Sequence, residues 1–380
     1  MAQRSARSRV VGQGLGARRS GPASGVAGSS LSRRAALRVA LGAPFVLASC
    51  TRSAAPPSIG FASTGGAYND ILRRVWIDDF EKQTGIKVNL SSNTSLTQTE
   101  LQVATDRPQW DVVELTGPWY VLAVRQGLLL PLDTDIVGRK AMPAECFRPF
   151  GVEYAMFNDC IGWDRRVIPD RLQPAGWADF WDTKVRPGRR SLNTVSAGGG
   201  TLEMALMADG VAPDKLYPLD LDRAFRSLDR LGSDNIVWSQ SFTEPIERLV
   251  SREVSLASTW PFRVMSANSG GANLGFTCNQ CSVAGDWLGV VKTSRNPKAA
   301  FRLINALISN TRACAEFSRL THYGTPNLDS LKLIPKADAD LVPTSPALAA
   351  KLYRPDDAWW AENLARVAQR FKQWQLGLAS

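Results

Sequence analysis

Hydrophobic and polar positions along this chain follow two periods, and the places where one gives way to the other mark its elements. Residues 59–90 show the change first. A short apolar run, Ile59 to Ala62, breaks into Ser63, Thr64, Gly65 and Gly66. Ile71, Leu72, Val75, Trp76 and Phe80 then recur at helical spacing, so strand, turn and helix are predicted in that order. Thr84 and Gly85 stop the helix, glycine supplying a left-handed cap, and Ile86, Val88 and Leu90 alternate with polar neighbours as a second strand. The unit is βαβ, with a glycine-rich turn at the carboxyl end of its first strand, the edge where open α/β sheets hold ligands.

The same punctuation continues downstream. Residues 110–114 read as a strand ending at Thr116, Gly117, Pro118 and Trp119, with a helix over 121–125 stopped by Gly127. Residues 150–163 form an extended, aromatic-rich passage that reads as a crossing between two halves. Ser196, Ala197, Gly198, Gly199, Gly200 and Thr201 open a helix over 202–208, a second strand-glycine-helix junction. Ala224, Phe225, Leu228 and Leu231 form one apolar stripe, read as core. A helix spans 241–249, a strand runs from Glu253 to a closing Trp260, and residues 266–275 read as a Gly/Asn-rich loop. A strand over 283–292 returns the chain to the first half, the helix after Asn296 buries Phe301, Ile304, Leu307 and Ile308, and residues 356–376 form a C-terminal helix returning to the second half. The fold class that follows is α/β, with two α/β lobes and a ligand cleft between them.

Several of these passages resemble one family. STGGAY and FEKQTGIKV near the start, DVV at 111–113, LLLPLD at 128–133, PAGWADFW at 174–181, EVSLASTW at 253–260, NPKAA at 296–300 and YGTPN at 323–327 are similar to the solute-binding proteins of ABC importers, the spermidine/putrescine-binding group in particular. The resemblance implies a type II periplasmic-binding-protein fold, with residues 59–158 and 286–330 in lobe 1 and residues 159–285 and 331–380 in lobe 2. It implies a monomer that binds a small amine-bearing, polyamine-like solute, closes by hinge motion and delivers the solute to an ABC permease, with no cofactor, no nucleic acid and no catalysis.

By that resemblance, Trp260 stacks on the ligand and Asp286 pairs with its amine, although Ala284 stands where the family carries a companion Trp. A Trp closing a strand is as often core, and an Asp at a strand start is commonly a turn residue. Thr64, Tyr68, Thr116 and Trp119 complete the first wall if the fold holds, and Trp359 or Trp360 reach in from the last helix unless they serve packing. The departure lies at Ala197 and Gly200, in a loop where polyamine binders carry acids, and Gly199, Gly200 and Thr201 are offered there as ligand contacts instead. Amides freed by glycine at a helix start favour an anion or a carbonyl, the plainer role being a helix cap. One acid and two amide-rich turns suit a ligand bearing both amine and carboxylate, or a single amine, better than a bare polyamine.

Composition adds the compartment. The first 49 residues hold eight Arg, no acid, and then an apolar segment, so without them the formal charge falls by eight, from +10 to +2, and implies no nucleic-acid partner. Ser32-Arg33-Arg34 with Leu37 resembles a twin-arginine signal, and Leu47-Ala48-Ser49-Cys50 reads as a lipobox, with Cys50 the acylated anchor and residues 50–58 the tether. The plainer alternative is an ordinary signal peptide with an incidental Cys. Cys146, Cys160, Cys278, Cys281 and Cys314 remain, as a bridge or as free thiols. With one histidine, His322, zinc is not expected. No Tyr-Tyr pair favours iron, and no dense oxygen-ligand loop favours calcium. The alternatives in function are an exported α/β hydrolase or transferase, against which stands the absence of G-x-S-x-G and H-E-x-x-H, and a solute-sensing module for a signalling receptor.

Overall fold

The computed structural model describes residues 57–377 apart from 93, 140–141, 196–199 and 242. The leader and Cys50 lie outside the described residues. Twelve strands form two sheets: β1 (Ser58–Ser63), β2 (Lys87–Ser92), β3 (Val112–Thr116), β4 (Phe147–Arg148), β5 (Gly151–Asn158), β6 (Cys160–Asp164), β7 (Arg190–Asn193), β8 (Ile236–Ser239), β9 (Leu256–Thr259), β10 (Leu274–Thr277), β11 (Cys281–Val290) and β12 (Leu352–Tyr353).

The first sheet runs β2-β1-β3-β11-β5-β4, with β12 added beside β11, and the second runs β10-β6-β9-β7-β8. Each contains three parallel strands, β2-β1-β3 in one and β8-β7-β9 in the other, flanked by antiparallel ones. Of the parallel strands, β1, β3, β7 and β9 are buried along nearly their whole length, whereas β2, at the sheet edge, mixes buried and exposed positions. The two sheets exchange chain where β5 passes into β6 with only Asp159 between them, and where β10 passes into β11 through residues 278–280. Asp159 ties these passages together. Its Oδ1 accepts the Ser282 backbone N–H at 2.6 Å and its own N–H donates to the Ser282 carbonyl at 3.2 Å.

The opening βαβ unit is as the periodicity predicts. Gly85 ends its helix in the left-handed region, at φ 68° and ψ 4°. A π-helical stretch at Arg73–Ile77 interrupts that helix, which a hydrophobic pattern does not announce. The first core joins Ile59, Phe61, Trp76, Ile77 and Phe80 to Ile304, Leu307, Ile308 and Phe317. The second joins Trp163, Trp177, Phe180 and Leu192 to the expected stripe of Ala224, Phe225, Leu228 and Leu231. Residues 266–275 are not one loop: a helix occupies Pro261–Ser269, and β10 begins at Leu274 because its backbone pairs with β6.

The C-terminal helix, Asp357–Gln375, touches both sheets' layers. Phe371 and Trp374 pack on Phe225 and Trp238, whereas Arg125 pairs with Glu362 at 2.8 Å and Arg148 with Asp357 at 3.4 Å. Among the described residues no helix is long and apolar enough to cross a membrane, and the five described cysteines are buried free thiols.

Phe317, fully buried against Trp76 at a ring distance of 4.8 Å, supports the first core. Phe317→Ala is expected to cost about 3–5 kcal/mol in urea unfolding. A loss below about 1 kcal/mol would show that the surrounding layer does not depend on this ring.

Candidate functional site

The carboxyl ends of β1 and β3 lie side by side, and a charged group stands between them that the sequence reading passed over. Ser63 Oγ and Thr64 Oγ1 donate to the two oxygens of Glu114 at 2.8 and 2.9 Å, and Tyr154 OH donates to Glu114 Oε2 at 2.9 Å. Tyr68, at the start of the helix that follows the Gly65-Gly66 turn, shares a hydrogen bond of 2.7 Å with Tyr154. Asp286, in the middle of β11 rather than at its start, lies in register with Thr116 of β3 and Ala155 of β5. A bulge after Asp286 breaks the ladder there, an irregularity that re-aims side chains. Since Leu288 faces Glu114 and Asp286 faces Thr116, Asp286 lies diagonally across from Glu114 on the same face of the β3–β11 pair, which makes the two carboxyl groups neighbours.

Two carboxyl groups bonded to each other share a proton, since a carboxylate carries no donor of its own. Glu114 is 1% and Asp286 8% exposed, so water screens neither. Burial raises the Glu114 carboxyl above the ordinary range, and burial together with the Glu114 charge raises Asp286 much further. Glu114 accepts three hydroxyl donors besides its neighbour, so it is the ionised member and Asp286 holds the proton.

Aromatic rings continue from this pair. Tyr68 lies 6.3 Å from Tyr323, Tyr323 5.5 Å from Phe157, and Phe157 meets Trp260 edge-on at 6.0 Å. Trp260 follows β9 and caps the next helix, from which the Arg263 guanidinium lies 5.0 Å from its ring centroid. The Arg263 Nε is buried with no hydrogen-bond partner among the described residues, and burial lowers the pKa of this guanidinium. The run Glu114, Asp286, Tyr323, Phe157, Trp260, Arg263 thus carries acid at one end and a cation at the other.

Thr64, Tyr68, Asp286 and Trp260 are therefore brought together, with Thr116 across the ladder from Asp286. Trp119 packs with Ala62, Trp110, Tyr120 and Trp287. Thr201 gives its hydroxyl to the Asn193 carbonyl at 2.7 Å and is buried. Gly200 caps that helix at φ 67°, where an added Cβ would lie 3.3 Å from Tyr353 OH. Gly199 lies outside the described residues. One turn on, Glu203 accepts Tyr217 OH at 2.6 Å and Trp360 Nε1 at 2.7 Å. Trp360 and Trp359, which lies 5.6 Å from Tyr217, are thus occupied in packing.

Glu114, Tyr154, Phe157, Tyr323 and Arg263 escaped the sequence reading. A lone carboxylate in the apolar run Val112-Val113-Glu114-Leu115 was the signal for the first, and the aromatic-rich crossing for Tyr154 and Phe157. Tyr323 stood in a recognised turn. Arg263 offered no signal beyond its place three residues after Trp260.

Paired α/β sheets exchanging strands beside a half-open row of acids, rings and an arginine define a receptor for a small polar solute. The chain belongs to the bacterial extracellular solute-binding protein family, whose model matches residues 75–350. It is 28% identical over 325 residues to a gamma-aminobutyric acid-binding protein of Pseudomonas aeruginosa, covering 83% of this chain and 90% of that one. It is 22% identical over 311 residues to a spermidine/putrescine-binding periplasmic protein of Haemophilus influenzae, covering 78% and 83%. The structure superposes on an ABC transporter substrate-binding protein from Bradyrhizobium japonicum with a TM-score of 0.77 and 32% identity, over 83% of this chain and 99% of that one. The protein is thus the solute-binding receptor of an ABC importer, and its family places it outside the bacterial cytoplasm, in the periplasm.

A carboxyl whose pKa is raised on folding favours the folded state below its unfolded pKa, and that contribution is lost as pH rises toward the folded value. Asp286→Asn keeps a donor to Glu114 and removes the ionisable group. The thermal midpoint of the ligand-free variant is therefore expected to exceed that of the parent at pH 8, with the gap narrowing at pH 5. A variant less stable at pH 8 would show that the buried acid is not strained.

Proposed function

We propose that this receptor captures a small solute bearing a primary ammonium at one end and a carboxylate at the other, of the γ-aminobutyrate kind, for delivery to an ABC permease. The observation that carries the reading is the opposed charge along one aromatic wall. Glu114 and Asp286 sit at one end to take an ammonium, and the Arg263 guanidinium at the other offers paired donors to a carboxylate. Trp260, Phe157 and Tyr323 offer faces to the alkyl segment between them. The γ-aminobutyrate-binding relative supports this choice. A polyamine fits less well, because its second ammonium would meet Arg263.

The work in this reading is capture, not turnover. The sheets are the cores of two lobes, divided near residues 158–159, 278–286 and 330, that hinge about the passages on either side of Asp159 and Ser282 and bury the solute on closing. Thr116 and Trp119, with Gly200 and Thr201 from the other lobe, edge the cleft. Export by the twin-arginine leader and acylation of Cys50 would hold the domain at a membrane by lipid alone.

Thermal-shift measurements on the purified protein with γ-aminobutyrate, putrescine, spermidine and glutamate test the ligand class, since a tight ligand raises the midpoint by mass action, by about 2.7 kcal/mol at a hundred times Kd. γ-Aminobutyrate is expected to stabilise most. Stabilisation by putrescine alone would contradict the reading. Calorimetry of Trp260→Ala is expected to show binding weakened by about 2 kcal/mol or more. Unchanged affinity would remove that ring from the site.

A further inference from the structure

We propose that Glu114 is the second half of the ammonium site, and that the ligand's ammonium takes the place of the proton shared by Glu114 and Asp286, so that one proton leaves for each ligand bound. The inference rests on the reading that the solute carries a primary ammonium.

Geometry supplies the argument. Oε1 of Glu114 accepts Thr64, and Oε2 accepts both Ser63 and Tyr154. Asp286 is its diagonal neighbour on the same face of the β3–β11 pair, and a carboxyl there can bond Glu114 only by donating O–H. Both groups are buried, so losing that proton with nothing in its place would leave two like charges in contact, away from water.

An ammonium solves both difficulties. Its three N–H donors include one to replace the lost O–H toward Glu114 and one for the newly ionised Asp286, and its charge offsets theirs. The exchange balances: R–NH3+ enters, the Asp286 O–H bond breaks, the electron pair stays on the Asp286 oxygen and H+ passes to the solvent.

Surrounding groups favour this proton over others as the one that leaves. Tyr68 from the first helix, Tyr154 from β5 and Tyr323 from the turn before the 3-10 helix Leu328–Leu333 face the pair, and burial with the neighbouring acids holds all three phenols protonated. Glu153, the other acid near Asp286, is paired with Arg354 at 2.7 Å. Arg263 faces Tyr323 and lies at the far end of the aromatic row. No cation among the described residues is paired with either Glu114 or Asp286.

The site is then selective for N–H as well as for charge. A quaternary ammonium has the charge but no donor to replace the O–H.

Calorimetric titration of the purified protein with γ-aminobutyrate at pH 6, in two buffers of different ionisation enthalpy, counts the protons released. About one per ligand is expected, with Kd falling close to tenfold for each pH unit gained while Asp286 remains protonated in the free protein. Asp286→Asn is expected to bind more weakly and to release no proton. The trimethylated analogue, 4-(trimethylammonio)butanoate, is expected to bind at least a hundredfold more weakly than γ-aminobutyrate. Tight binding of γ-aminobutyrate with no proton released would overturn the exchange and leave the ligand class standing. Equal release by Asp286→Asn would place the proton elsewhere and overturn it too. No binding of γ-aminobutyrate at all would overturn the ligand class, and the exchange with it.

Discussion

Two buried carboxyl groups in contact set the terms for the rest of this molecule. Like charges out of water cannot both remain ionised, so Glu114 and Asp286 must hold a proton or a cation between them. Folding does not remove this tension; it maintains it. Ser63, Thr64 and Tyr154 keep Glu114 ionised in place, while the register of β11 with β3 and β5, and the bulge after Asp286, bring the second acid against it. A protein optimised for stability alone would place an amide or an apolar side chain there, so the pair reads as stability held in reserve for a cationic guest.

The fold explains why the tension falls where it does. Parallel strands end together at one edge of each sheet, and the strands that change sheets run beside that edge. Asp159, buried between the crossing passages and raised by burial to about 7, ties them through the Ser282 backbone. The passages between the two layers are thereby held together within a few residues close to the site. The C-terminal helix spans the two layers, with a broad aromatic anchor on the second and, on the first, the exposed Arg125–Glu362 pair and the half-buried Arg148–Asp357 pair. Exposed ion pairs contribute little stability.

How much of this was legible in the residues divides along a physical line. Local period and punctuation carried the βαβ opening, the Gly85 cap, the stripe at Ala224 to Leu231 and the helix that buries Phe301 to Ile308. Each depends on neighbours three or four positions apart. Resemblance singled out Asp286 and Trp260, and the glycine turn Thr64 and Tyr68. What escaped was set by pairing between distant strands: Glu114 acquires its meaning only from β1 hydroxyls some fifty residues earlier and from β11 far downstream, and nothing in VVELT records either. The π-helical stretch at Arg73–Ile77 and the helix at Pro261–Ser269 escaped for the same reason, since packing overrode a weak local pattern. Resemblance also pointed to polyamines, whereas the Arg263 guanidinium beside Trp260 argues for a ligand with a negative end.

The central claim is that an ammonium bridges Glu114 and Asp286 while an aromatic row and Arg263 hold the remainder of the solute. A crystal structure of the protein bound to γ-aminobutyrate tests it most directly. The account expects the ligand nitrogen within about 3 Å of an oxygen from each acid and the ligand carboxylate on Arg263. A ligand lying in the opposite direction, or bound with the two acids still hydrogen-bonded to each other, would contradict it.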